Sequence, residues 1–224
     1  MTPPWAGRSS PFPAEVGGLS RSVRGSDHDG HVSFLTTIRT NASDRQTFES
    51  LVDLDRSHKH VMSLLPDGMG LFDDARAAMG VLFRVDFPER LASGDIVLRV
   101  QSAVQIDATS VPVPALHLGD EIVLGTRLAT IIRSQGKERA VPEKESDAWV
   151  LNALSRSGFE VLDSSLSKPR FRGQRGGIGF TGRDVVAKAR VSDESAANDA
   201  VLNGIGRGKS YGYGLVLFSK VAES

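Results

Sequence analysis

The strongest constraint on this 224-residue chain is an order of periodicities that runs through it twice. Residues 31–39 (HVSFLTTIR) alternate apolar and polar side chains, as a half-buried strand does. Ser43 or Asp44 can cap a helix predicted to run to about Leu65, with Phe48, Leu51, Leu54, Val61, Met62 and Leu65 in a stripe near the 3.6-residue period. Pro66, Asp67 and Gly68 stop it. Strand-like runs at 80–86 and 95–102 follow, and the Pro, Ser and Gly between them predict a hairpin. After a break at 112–114 the outline repeats. A strand is expected over 119–132, a helix over 143–157, strands at 159–162 and 177–191, a short helix over 194–202 and a last strand over 214–220.

Strand, helix, strand pair, helix, strand is the split βαβ outline. The chain is therefore expected to be α+β, with two tandem ferredoxin-like (RRM-like, βαββαβ) domains. The N-terminal one takes residues 31–114 and the C-terminal one residues 115–224. They share an outline without visible sequence identity, and the first is poorly defined at its end. Residues 1–30 have a different composition: Pro3, Pro4, Pro11 and Pro13 sit among glycines and serines with no apolar period. Such a segment buries too little surface to offset its ordering entropy and is expected to be a flexible arm. It has no apolar core of a secretory signal, and no run in the chain approaches the ~20 apolar residues of a membrane helix. A cytoplasmic protein without a membrane partner is expected. With no cysteine, disulfides, thiolate metal sites and cysteine nucleophiles are excluded.

Basic and acidic residues balance at 27 each, which on its own argues against a nucleic-acid partner. The distribution argues otherwise. Lys168, Arg170, Arg172, Arg175, Arg183, Lys188 and Arg190 face only Asp184 within their segment, and Arg127, Arg133, Lys137 and Arg139 precede them. Arg207 and Lys209 form a third group, whereas residues 41–75 are mainly acidic. On a strand, Lys168, Arg170 and Arg172 would share one side. Such a basic ribbon can track phosphates; equally, lysine and arginine protect a solvated strand edge. Gly173, Gly176, Gly177 and Gly179 allow close backbone approach and favour the first reading a little.

Residues 204–214 read GIGRGKSYGYG. The Gly-Lys-Ser within it is not a phosphate loop of the Walker type, because the required earlier glycine is Asn203 and a strand, not a helix, is expected to follow. Gly204, Gly206, Gly208, Gly212 and Gly214 would permit positive φ and offer backbone N–H groups to an anion beside Arg207 and Lys209. A plain tight turn is the other reading, although it needs fewer glycines.

Three stretches belong together: DLDRSHKHVMSLLP at 53–66, with a histidine eight residues before a closing proline, IVLRVQSA at 96–103, and LNGIGRGKSYGYGLVL at 202–217. In this order they resemble the CRISPR-associated precursor-RNA processing endoribonucleases of the CasE family, RAMP-superfamily subunits of the type I-E Cascade. Val141-Pro142 and Trp149 also fit, and the resemblance covers roughly residue 31 to the end. It implies two ferredoxin-like domains that bind the stem-loop of a CRISPR repeat RNA. It further implies metal-independent cleavage at the base of the stem, leaving a 5′-hydroxyl and a 2′,3′-cyclic phosphate, and retention of the product within Cascade beside its other subunits. No cofactor and no metal are expected. Lys168, Arg170, Arg172, Arg175, Arg207 and Lys209 are the expected RNA-binding residues.

Such chemistry uses the substrate's own 2′-hydroxyl as nucleophile, so the protein must move protons and steady a pentacoordinate phosphate. Histidine suits the proton transfers. On the helix pattern alone His58 interrupts the apolar stripe and reads more readily as a packed core residue; the resemblance implies that it is catalytic. His60, about 200° away around the helix, is the fallback, and His31 a weaker candidate. Some relatives carry a tyrosine three residues before the histidine; here that position is Asp55. Tyr211, Tyr213 or Ser57 could take its place. A catalytically weak or inactive RNA-binding subunit of the same fold, and a protein-assembly module, remain as alternatives.

Overall fold

The computed structural model describes residues 32–41, 43–66, 79–88, 94–134, 137–175 and 178–221, and the account below is of these. The expected N-terminal arm and His31 lie outside them. The first unit comprises β1 (Phe34–Asn41), α1 (Arg45–Val52), α2 (Leu54–Ser63), β2 (Leu82–Asp86), β3 (Asp95–Ser102) and a short β4 (Val111–Pro112). Its sheet is antiparallel, in the order β2-β3-β1-β4. The second unit contains β5 (Glu121–Ala129), a hairpin of β6 (Ile131–Ser134) and β7 (Lys137–Ala140), α3 (Glu143–Arg156), β8 (Phe159–Leu166), β9 (Arg170–Arg175), β10 (Ile178–Val191), α4 (Glu194–Asn203) and β11 (Val216–Lys220). Its main sheet runs β11-β5-β10-β8, with β9 paired to the first part of β10. In both sheets the first and third strands of the unit are central and the second and fourth are outermost. This is the ferredoxin-like order, and the expected two-domain α+β fold is present.

Three local expectations are corrected. The predicted helix from 43 to 65 is two helices, because Asp53 takes an extended backbone (φ −81°, ψ 133°) and its side chain accepts a hydrogen bond from the Arg56 N–H at 2.8 Å. Asp44 caps α1 in the same way, through the Thr47 N–H. The strand expected over 119–132 ends at Ala129, and the chain turns into the β6–β7 hairpin. Residues 103–110 hold no helix, so the first unit lacks the second helix of the βαββαβ outline.

Strand alternation assigns the two faces of each sheet. Ile96, Leu98 and Val100 of β3, with Phe83 and Val85 of β2, pack against Leu51, Val61 and Leu65 from the helical segment. Ile122, Leu124 and Leu128 of β5 and Val185, Ala187 and Ala189 of β10 pack against Val150 and Leu154 of α3 and Ala197 and Val201 of α4. The opposite faces meet each other. Leu35 and Leu82 pack with Leu215 and Leu217, and the buried Gln101 side chain donates to the Val201 carbonyl at 2.7 Å. The glutamine of the QSA stretch therefore bonds the two domains together. Leu82, Leu215 and Leu217 are buried, each worth about 1.5–3 kcal/mol, so the apolar part of this junction contributes substantially to holding the domains together.

Candidate active site

Helix α2 places the histidines. Leu54, in its first turn, packs against the cluster of Ala129, Ile131 and Tyr213 of the C-terminal unit, as Tyr211 also does. Val61 and Leu65 anchor the other end of the segment in the N-terminal core. The helix thus spans both domains and lies against a short 3₁₀ turn, Lys209–Tyr211, set between Gly208 and Gly212. His58, one turn after Leu54, is half-buried on this side. His60 points elsewhere: hydrogen bonds from Thr47 hold the Asp44 carboxyl below its ordinary value, and the His60 charge adds to that effect. His60 accordingly lies toward the N-terminus of α1. The structure brings α2, the helix of both histidines, against the lysine-bearing turn; His58 lies on the Leu54 side of that helix by its spacing, and His60 about 200° away.

The glycine loop is built as its composition suggests. Gly204, Gly206, Gly208, Gly212 and Gly214 all have φ between 73° and 85°. At Gly214 the requirement is also steric, since a Cβ would stand 2.6 Å from the Ile205 carbonyl oxygen. The loop closes on itself there: Ile205 N–H donates to Gly214 O at 2.9 Å, and Gly214 N–H donates to Arg127 O at 2.7 Å. Gly214→Ala should therefore destabilise the protein by about 2–4 kcal/mol. A denaturant midpoint unchanged from wild type would show that the loop relaxes freely. The strand expected from residue 214 begins at Val216, because the five glycines hold the chain in a loop that first forms the 3₁₀ turn.

Of the proposed stand-ins for the missing tyrosine, Ser57 is buried and its hydroxyl donates to Leu54 O at 2.9 Å. Tyr213 is fully buried, and its ring lies so close to β10 that a Cβ at Gly182 would approach it to 2.3 Å. Tyr211 is half-buried against the cluster of Ala129, Ile131 and Tyr213 and is the one of the three that reaches the surface. Asp55 is exposed.

The basic groups divide in a way that sequence counting misses. Arg183 is buried and bonds Asp147, Ser146 and the Ser167 carbonyl. Lys188 and Arg190 pair with Glu121, and Arg190 also with Glu160. Arg127 is buried in an ion cluster between the domains. These four support the fold. Arg207 is 43% exposed and pairs with Glu138 of β7 at 2.5 Å. Lys168 is exposed but precedes β9, which begins at Arg170. The β9–β10 register passes from Phe171↔Thr181 to Gly173↔Phe180 and skips Arg172, so the regular alternation expected of Lys168, Arg170 and Arg172 is interrupted by a bulge. The backbone of Arg170, Arg172 and Arg175 lies in the strand; their side chains fall outside the described set. Among the described residues no three His, Asp or Glu side chains converge as metal ligands, and no helix is long and apolar enough to cross a membrane.

Residues 129–219 match the family described as CRISPR associated protein. This segment begins at the last residue of β5 and includes the whole glycine loop. The fold is similar to Thermus thermophilus Cse3 bound to an RNA representing a pre-cleavage complex (20% identity, 84% of this chain and 99% of that one, TM-score 0.70). It is also similar to Cas6e from Escherichia coli (21% identity, 85% and 100%, TM-score 0.55), and to a chain of a CRISPR RNA-guided surveillance complex (22% identity, 84% and 100%, TM-score 0.55). No match is found among curated protein sequences. The resemblance read from sequence is met by a family match over much of the C-terminal unit and a shared fold over most of the chain.

Proposed function

We propose that this protein is an endoribonuclease that cleaves CRISPR precursor RNA at the base of the repeat stem-loop and stays bound to the product as a subunit of Cascade. One observation carries the proposal: α2, bearing His58, packs against the Lys209–Tyr211 turn of the other domain. In this reading the junction joins the helix of a proton-transfer group to a turn that carries a positive charge, the two things metal-free cleavage requires. The likeness to an RNA-bound Cse3 and to a surveillance-complex chain supports the substrate and the partners.

In this reading the His58 imidazole takes the proton of the substrate 2′-hydroxyl, whose oxygen attacks the adjacent phosphorus. The P–O5′ bond breaks, leaving a 2′,3′-cyclic phosphate and a 5′-hydroxyl once the leaving oxygen is protonated. Lys209 steadies the charge on the phosphate, and Tyr211 is the surface-reaching hydroxyl available near the helix. Lys168, Arg170, Arg172, Arg175 and Arg207 bind the RNA backbone. An A-form major groove is hard for side chains to read, so stem shape supplies part of the selectivity. The exposed Asp55 favours a second reading, a subunit of the same fold that holds repeat RNA and cleaves it slowly or not at all, because a carboxylate beside the site repels phosphate.

Incubating the protein with repeat RNA in EDTA tests both. Cleavage that persists in EDTA and leaves a cyclic phosphate is the expected result; binding without cleavage selects the second reading. Replacing Lys168, Arg170 and Arg172 together by glutamine should weaken binding and reduce the slope of log K against log salt by about 2–3. An unchanged slope would remove the β9 region from the RNA surface.

A further inference from the structure

His58 and the glycine loop belong to different domains, so their spacing depends on how the two sheets dock. One side chain ties that docking to the loop. Arg127 lies on the inward face of β5, and its carbonyl accepts the N–H of Gly214, where the loop ends. Its guanidinium makes three bonds in three directions. Nε donates to Asp184 of β10 at 2.7 Å. One terminal nitrogen donates to the Val85 carbonyl of β2 at 2.8 Å, the other to the Asp86 carboxylate at 3.2 Å. Arg84 and Arg99 bond the same Asp86 at 2.7 and 2.6 Å, and Arg84 lies 3.4 Å from Asp184. The opposite face of β2 carries Phe83 and Val85, which pack in the core that holds Val61 of α2. A continuous path of bonds and packing therefore runs from the loop exit through Arg127 to the helix of His58.

We propose that Arg127 is a positioning residue: it fixes the glycine loop relative to α2 and so sets the spacing of His58 and Lys209. The cleavage arm of this proposal rests on the function proposed above; the geometric arm does not. Lysine cannot replace it, because an ammonium has no planar fork to reach Asp184, the Val85 carbonyl and Asp86 together.

The absence of cysteine makes the geometry measurable, since Lys59→Cys and Ser155→Cys, both exposed, would be the sole thiols for spin labels on α2 and α3. Arg127→Lys and Arg127→Met are compared with wild type below all melting midpoints. The expected result is a broadened or displaced distance distribution in both variants. Single-turnover cleavage at saturating repeat RNA should fall about 10–100-fold, as small misplacements of reacting groups cause, with Kd changed less than about threefold. If Arg127→Met fails to fold, Arg127→Lys decides alone. Lowered melting with unchanged distances and unchanged cleavage would overturn the proposal and leave Arg127 a purely stabilising residue. If wild type does not cleave, the proposed function fails while the distance measurement still decides the role of Arg127.

Discussion

His58→Ala should lower repeat-RNA cleavage by about 10²–10⁴-fold, the usual contribution of a positioned acid–base group, while RNA affinity changes little. His60→Ala should leave the rate within about threefold, since His60 stands about 200° from His58 around the helix. The pair of variants separates catalysis from packing. Both histidines are half-buried on one helix, so each truncation should cost stability of the order of 1 kcal/mol. A rate loss confined to His58 cannot then be assigned to a loosened helix. Melting curves and single-turnover rates, taken together, measure this. Retained cleavage in His58→Ala, or a larger loss in His60→Ala, would move the chemistry elsewhere.

The same helix shows what sequence can and cannot reveal. The stripe of Leu54, Val61 and Leu65 predicts a helix and places His58 on it, because 3.6-residue periodicity is local. The break at Asp53 is concealed, since an aspartate in a helical run reads as a solvated position until its side chain is seen capping the Arg56 N–H. Positive φ at the five glycines was legible from composition; the closure of the loop on Arg127 was not, because it depends on a partner in β5. A count over the basic segment cannot tell paired groups from the rest. Arg183, Lys188 and Arg190 count in sequence as part of a basic run that points to a nucleic-acid partner, but their acids (Asp147, Glu121 and Glu160) lie far away in sequence and meet them only in the folded chain. Arg84, Asp86, Arg99, Arg127 and Asp184 alternate with apolar residues and so resemble the outer positions of half-buried strands. The face they occupy is instead covered by the other domain. The available signal was an imbalance: charges of both signs recur at alternate strand positions in both domains, as two faces that neutralise each other require.

Asp86→Asn should destabilise the protein by about 3–5 kcal/mol, the cost of breaking a largely buried ion cluster by removing one partner. The register explains the size. Arg84 and Arg99 stand directly opposite one another on β2 and β3, an arrangement of like charges that repels. The Asp86 carboxylate lies between them and takes Arg84 on one oxygen and Arg99 on the other, while Arg127 arrives from the second domain. Burial pushes that carboxyl up, but Arg84, Arg127 and Arg99 outweigh it and hold it below the ordinary aspartate range. An aspartate depressed in the folded state adds stability that is present above its unfolded pKa and is lost as pH falls through the lower folded value. The difference between wild type and Asp86→Asn should therefore be full at neutral pH and shrink only below about pH 4. Urea unfolding of both proteins between pH 2 and 7 measures it. A difference under about 1 kcal/mol at pH 7, or one that does not shrink in acid, would show that water, not Asp86, balances the guanidinium groups. In the first case the hold of Arg127 on β2 would rest on the Val85 carbonyl, and the charged contact between the domains on Arg84 and Asp184.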